Sequence, residues 1–234
     1  MRLFLSLVSI FGLFWSCTPG GNTPGDRGAS LTGFDSTSVK PAAAAEILQM
    51  PFEGELIQAI SWTDKAGKNT LVFSGKPAYP IDADMRKAEF FAYAYAEEGK
   101  DSLALLWQIR ESVDSCYCDC AVELTDSPVI LRDMDQDGYA EASFMYFLND
   151  LCDASPMDTK LIVASRNQTF FMEGYTRRFL APGESFFQKI LTSENFDQAS
   201  PPIREFARLH WESYLQSEQT AFENVQKENK QTED

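Results

Sequence analysis

The run Asp133-Met-Asp135-Gln-Asp137-Gly138-Tyr139-Ala-Glu141 sets carboxylates at alternating positions and a glycine where the chain must double back. As such a backbone curls, alternate side chains turn toward one point, and the Tyr139 carbonyl with the Glu141 carboxylate completes much of an all-oxygen shell. Gly138 stands at the sharpest bend, where a Cβ would be costly. Four carboxylates held this close repel one another, so a cation among them would contribute folding energy. Hard oxygen ligands argue against zinc, and several carboxylates favour calcium over magnesium. The expected ligands of a structural Ca2+ are therefore Asp133, Asp135, Asp137, Tyr139 and Glu141. A solvated Asp/Gly hairpin turn is the competing reading.

The elements that must position this loop read as strands. Val129–Leu131 precedes it and Ala142–Tyr146 follows it, both rich in β-formers. An EF-hand would need a bidentate Glu at the twelfth loop position, where Phe144 stands. The loop thus resembles the calcium loops of integrin-type and other β-propeller repeats.

Three more strand–turn–strand units accompany it. Gly54–Thr63 leads through the turn cluster Asp64–Asn69 to Thr70–Ser74, and Glu89–Tyr95 leads through residues 97–101 to Ser102–Ile109. Thr159–Ser165 then leads through Arg166-Asn-Gln168 to Thr169–Tyr175, where Asn167-Gln-Thr169 matches a glycosylation sequon but also reads as a plain hairpin turn. This pattern predicts a mainly β domain of antiparallel hairpins, as a sandwich, a curved sheet or a propeller-like array. Helical periodicity is strong only late: Ser200 as cap, Pro201 in the first turn, then an apolar stripe of Ile203, Phe206, Ala207, Trp211 and Tyr214. The expected layout is a signal segment at 1–16, a lipidated Cys17 with a flexible tether to residue 45, a β domain with its helix over 46–217, and a polar tail at 218–234.

Composition narrows the function classes. Among 234 residues, 35 acidic against 20 basic give a formal charge of -15, which argues against nucleic acid and against electrostatic docking on anionic lipid. The single histidine, His210, leaves little room for zinc sites or a histidine-based triad, and reads as a packing or surface residue. No Gly-rich phosphate loop or nucleophile elbow is present. Phe90, Phe91, Tyr93 and Tyr95 suit either sugar stacking or core and cross-strand pairing. Paired carboxylates for glycosidic chemistry stay open, because their separation is a three-dimensional fact.

At the N-terminus Arg2 precedes the apolar run Leu3–Trp15, of signal-peptide length and too short to span a membrane, followed by Ser16 and Cys17. A small residue before Cys resembles the lipobox of bacterial lipoproteins, in which the cysteine is lipidated. Phe14 and Trp15 depart from that pattern, and an ordinary secretory signal is the alternative. Thr18–Ala45 is rich in Gly, Pro, Ser, Thr and Ala, as a tether would be. Four cysteines follow, Cys116, Cys118, Cys120 and Cys152, and in an exported protein an even number favours disulfides over metal binding.

Trp107-Gln-Ile109, Val113, Cys116-Tyr-Cys-Asp119, Asp133–Glu141, Phe144-Met-Tyr146, Cys152-Asp-Ala-Ser-Pro156 and Lys160-Leu-Ile162 occur in an order similar to that of an exported family frequent in Bacteroidetes-type bacteria, labelled "surface polysaccharide biosynthesis protein". The resemblance covers roughly Gly54 to Tyr175. It implies a lipid-anchored envelope protein, placed in the outer membrane, with a glycan or envelope protein as partner. It carries no catalytic residues, so a binding or assembly role is the first expectation and a carbohydrate-active enzyme with paired carboxylates the alternative. It also matches Cys116 and Cys152 to its cysteine positions, implying a bridge between them.

Overall fold

The computed structural model describes residues 33–99, 102–117, 120–150, 157–176 and 190–232. Cys17, Cys118 and Cys152 lie outside them. The first sheet is a five-stranded antiparallel meander of β1 (Asp35–Pro41), β2 (Glu55–Asp64), β3 (Gly67–Pro80), β4 (Arg86–Glu97) and β5 (Leu103–Cys116), in that spatial order. The second contains β6 (Ala121–Leu124), β7 (Ile130–Arg132), β8 (Glu141–Asn149), β9 (Met157–Ser165), β10 (Gln168–Thr176) and β11 (Leu191–Thr192). Its order is β11-β10-β9-β8-β6, with β7 also paired to β8. All four expected hairpins are present as antiparallel pairs, extended by a few residues at their ends.

The two sheets face one another as a sandwich. Leu71, Phe73, Phe90, Ala92 and Trp107 of the first sheet meet Phe144, Tyr146, Ile162 and Ala164 of the second in one buried cluster. Period-two alternation decides this, since Phe90 and Ala92 point inward while Phe91, Tyr93 and Tyr95 point outward. The outward rings form a stacked ladder with centroids 6.1 and 6.3 Å apart. Met50, Ala42, Ile47 and Phe52, around the short helix α1 (Ala44–Ile47), cover that ladder, so these aromatics are core and not an open sugar platform.

Helix α2 (Pro201–Thr232) covers the outer face of the second sheet. Ile203, Ala207, Trp211 and Tyr214 pack on Met145, Leu161, Val163, Phe170 and Met172. The Ser200 carbonyl accepts the Arg204 N–H at 3.1 Å, while its hydroxyl, expected to cap the helix, has no partner among the described residues.

Two expected boundaries move. Asp35–Pro41, expected within the tether, is an edge strand on β2. Its hydroxyls supply part of the reason: Ser38 Oγ accepts the Thr63 N–H at 2.7 Å and donates to the Asp35 carbonyl at 2.6 Å. Residues 218–232, expected as a frayed polar tail, continue α2. No helix among the described residues is long and apolar enough to cross a membrane.

Cys116 also differs from expectation. Its partner is Cys120, with Cα atoms 5.9 Å apart, while Cys152, the partner that the resemblance implies, lies outside the described residues. Ser115 takes a left-handed φ of 70°, which turns the chain at the end of β5 and lets two cysteines four residues apart meet. So short a closed loop gives about 2 kcal/mol by loop-closure entropy. Non-reducing peptide mapping is expected to recover 116 joined to 120; a peptide joining 116 to 152 would overturn this pairing.

On the outer face of β4, Glu89 is 3% exposed and is met by Arg110 at 2.5 Å, Tyr79 at 2.8 Å, Lys76 at 3.2 Å and Lys87 at 3.5 Å. Burial alone would raise its carboxyl, but Arg110, Tyr79 and Lys76 together outweigh that and hold it down at about 2. The unfolded value is higher, so this contribution is complete above pH 4.5 and is lost as pH falls toward 2. Its size is at most on the order of 3 kcal/mol. In urea unfolding, Glu89→Gln is expected to be less stable than the parent at mildly acidic pH, with the gap closing as pH approaches 2. A gap independent of pH would contradict the assignment.

Candidate metal centre and the adjoining cavity

The acidic loop joins β7 to β8, and Arg132 pairs with Glu141 across its base. Two left-handed residues, Gln136 at φ 62° and Gly138 at φ 93°, reverse the chain between them. A Cβ on Gly138 would approach Lys65 Cδ to 3.1 Å, so both conformation and space favour glycine there.

Carboxylate oxygens of Asp133, Asp135 and Glu141 lie within 4.8 Å of one another. Two oxygens bound on opposite sides of one hard cation at about 2.4 Å would be that far apart, so the group could hold a metal ion. One further observation fits a cation: Asp135 Oδ1 is buried without a hydrogen-bond partner among the described residues. Glu141 is fully buried; Oε2 accepts the Met134 N–H at 2.7 Å and Oε1 the Ser165 hydroxyl at 3.0 Å. Burial is the main force pushing its carboxyl up to about 7, with the charges of Asp135 and Asp137 adding to it.

Of the five expected ligand residues, three are thus gathered. Asp137 stands outside that group, and its Oδ1 accepts the Tyr139 N–H at 2.9 Å. Asp133 also accepts the N–H groups of Asp137 and Gly138, at 3.1 and 3.0 Å. Tyr139 presents its ring to two cations, with the Arg166 guanidinium 3.7 Å and Lys65 Nζ 5.1 Å from its centroid.

The loop is tied to the opposite sheet. Lys65 N–H donates to the Gly138 carbonyl at 2.9 Å, and Ala140 N–H donates to Asp64 Oδ2 at 3.1 Å. Asp64 also accepts from Trp62 Nε1 at 3.0 Å and from the Ala66 N–H at 2.8 Å. No sequence signal links Asp64 to a loop 76 residues away; its place at a hairpin turn is the nearest hint. Beside this junction a cavity of about 480 Å³ opens between the sheets. Trp62, Trp107, Ala94, Ala142 and Ala164 line its interior, with Tyr139, Arg166 and Asn167 at its mouth.

The chain matches no family model, no curated protein and no solved structure.

His210, expected as an ordinary packing or surface residue, is buried and bonded on both ring nitrogens. Ser127 Oγ is 2.7 Å from Nε2 and Ser143 Oγ 2.8 Å from Nδ1. Burial lowers its pKa, so the ring stays neutral and joins α2 to β8 and the β6–β7 connection. Partners 67 and 83 residues distant left no local pattern by which the sequence could disclose them.

Proposed function

We propose that the protein is a calcium-stabilised lipoprotein of a bacterial cell envelope, anchored in the outer membrane through Cys17, acting as a non-enzymatic binding or assembly factor in surface polysaccharide production. The observation that carries the metal part is the convergence of Asp133, Asp135 and Glu141 around a buried, unpartnered oxygen. All-oxygen donors, most of them carboxylate, favour calcium, and Asp137 and the Tyr139 carbonyl lie on the same loop to extend the shell. When bound, the ion would offset part of the loop's negative charge and fix the β7–β8 connection; protein residues perform everything else.

The run Leu3–Trp15, Ser16 and Cys17 supports the anchor. Multiple acyl chains of the lipoprotein kind would make it durable, since one chain binds only marginally. The process, with a glycan or an envelope protein as partner, is suggested by the motif order between Trp107 and Ile162, which resembles that of the polysaccharide-biosynthesis family. A glycosidic mechanism needs two acids facing one cleft, whereas the described lining of the cavity holds one, Asp64, already engaged by three N–H donors. This cavity therefore does not supply such a pair.

Membrane fractionation of a bacterial host tests the proposal. The full chain is expected in the membrane fraction with acylated Cys17, and Cys17→Ala is expected to release it or leave its signal uncleaved, with the sandwich folded. A wild-type chain recovered soluble with an unmodified thiol at 17 would refute the anchor.

A further inference from the structure

The cavity beside the acidic loop exists because three facing core positions are small. Ala94 of β4, Ala142 of β8 and Ala164 of β9 meet at this end of the sandwich, whereas Phe73, Phe90 and Phe144 fill the neighbouring layers. Native interiors are otherwise close-packed, so an open slot between two sheets is a feature to be explained. Its walls are largely carbon. The indole N–H of Trp62 and both oxygens of Asp64 are engaged with one another or with backbone, and Asn69 Nδ2 donates to the Gly67 carbonyl at 3.0 Å. With most of the lining's polar atoms already engaged, a guest with many polar groups along its body would leave most of them unpaired, so the body must be mainly apolar.

The mouth has different chemistry. Arg166 stacks on Tyr139 and makes no hydrogen bond or ion pair with any described residue, so its donor fork is held flat and open. Arg166 also occupies the first position of the two-residue turn between β9 and β10, with φ at 53°. Glycine or asparagine is at ease in that left-handed region, and arginine is not. A strained residue whose charged head meets the fold only through the face of Tyr139, with its N–H donors unused by any described residue, points to a role toward a ligand. Asn167 lies next to it at the same rim.

We infer that this cavity binds a small organic carboxylate, its apolar body between the sheets against Trp62 and Trp107 and its carboxylate on the Arg166 fork beside Asn167. Planar guanidinium and planar carboxylate match as a bidentate pair, and the slot is of the size that holds small ligands. The site shares Tyr139 with the metal centre, its ring here and its carbonyl there, but Arg166 is not among the expected metal ligands.

Calorimetric titration of the full chain with 3-phenylpropionate and octanoate, beside 3-phenylpropanol and octanol, tests the assignment. The acids are expected to bind roughly tenfold to a hundredfold more tightly than the alcohols, as for a hydrogen bond to a charged group. Arg166→Gly is expected to reduce the acids to the level of the alcohols while holding or raising the melting temperature, because glycine relieves the turn. Ala164→Val, which narrows the slot, is expected to weaken acid and alcohol alike. Acids and alcohols of equal affinity, no binding of either acid at millimolar concentration, or an Arg166→Gly chain that keeps its preference would each overturn the inference. Calcium titration of the same Arg166→Gly chain is expected to match the parent, so failure here is distinguishable from failure of the metal centre.

Discussion

Adding calcium to the chelated protein is expected to raise its melting temperature by several degrees, and Glu141→Gln is expected to invert the comparison. A ligand present at a hundred times its dissociation constant stabilises by about 2.7 kcal/mol. For a fold of this size that is roughly 5–10 °C. Extracellular modules of this charge bind calcium at about 10⁻⁴–10⁻³ M, so the titration belongs in the millimolar range and above. Without the ion, Glu141 is a fully buried carboxylate beside Asp133 and Asp135, an arrangement that opposes ionisation. Glutamine can keep the Met134 N–H through its carbonyl and give its amide to Ser165, so the uncharged variant should melt higher than the parent in chelator. In calcium it should melt lower, having lost a ligand. Asp135→Ala should likewise lose the calcium increment while changing little in chelator. Superimposable melts of the parent with and without calcium would sink the metal assignment.

Trp211→Ala is expected to cost about 3–5 kcal/mol, the largest effect of any single truncation proposed for this protein. Trp211 is fully buried at the centre of the cluster between α2 and the second sheet, among Met145, Leu161, Phe170 and Met172. Its indole N–H has no partner among the described residues. Replacement by phenylalanine therefore forfeits no hydrogen bond and should cost far less than alanine. Chemical denaturation of the two variants measures the difference. A Trp211→Ala chain as stable as the parent would mean that the helix does not depend on this contact.

The hairpins were legible because alternation and turn residues are local signals. Which face of β3 and β4 meets the second sheet was not legible, because Val72 and Phe91 are as apolar and as buried as Leu71, Phe73 and Phe90. β1 was not legible, since Asp-Ser-Thr-Ser-Val-Lys-Pro resembles linker composition, and its strand character comes from β2 beside it. The loop spacing foretold that Asp133, Asp135 and Glu141 converge. It could not foretell that Asp137 would cap the Tyr139 N–H, because Asx turns compete with ligation for the same oxygens. The cysteine partner depended on one left-handed residue, Ser115, which leaves no trace in composition. The ties of Asp64 to Ala140 and of His210 to its two serines are long-range results of stacking two sheets and a helix.

Helix α2 has a further consequence for how unfolding would be observed. Its buried residues end at Tyr214, and no described residue after that point is fully buried, although the helix continues to Thr232. Residues 215–232 thus carry about 27 Å of helix beyond the last fully buried turn. A helix of that length is marginal when packing contributes little, so amide protons there should exchange through local opening. Those near Ala207 and Trp211 should exchange only when the whole domain opens. Far-ultraviolet dichroism would then begin to decline before tryptophan fluorescence does, and the two probes would give different midpoints. For this protein, a two-state fit to the dichroism alone would understate the stability of the sandwich.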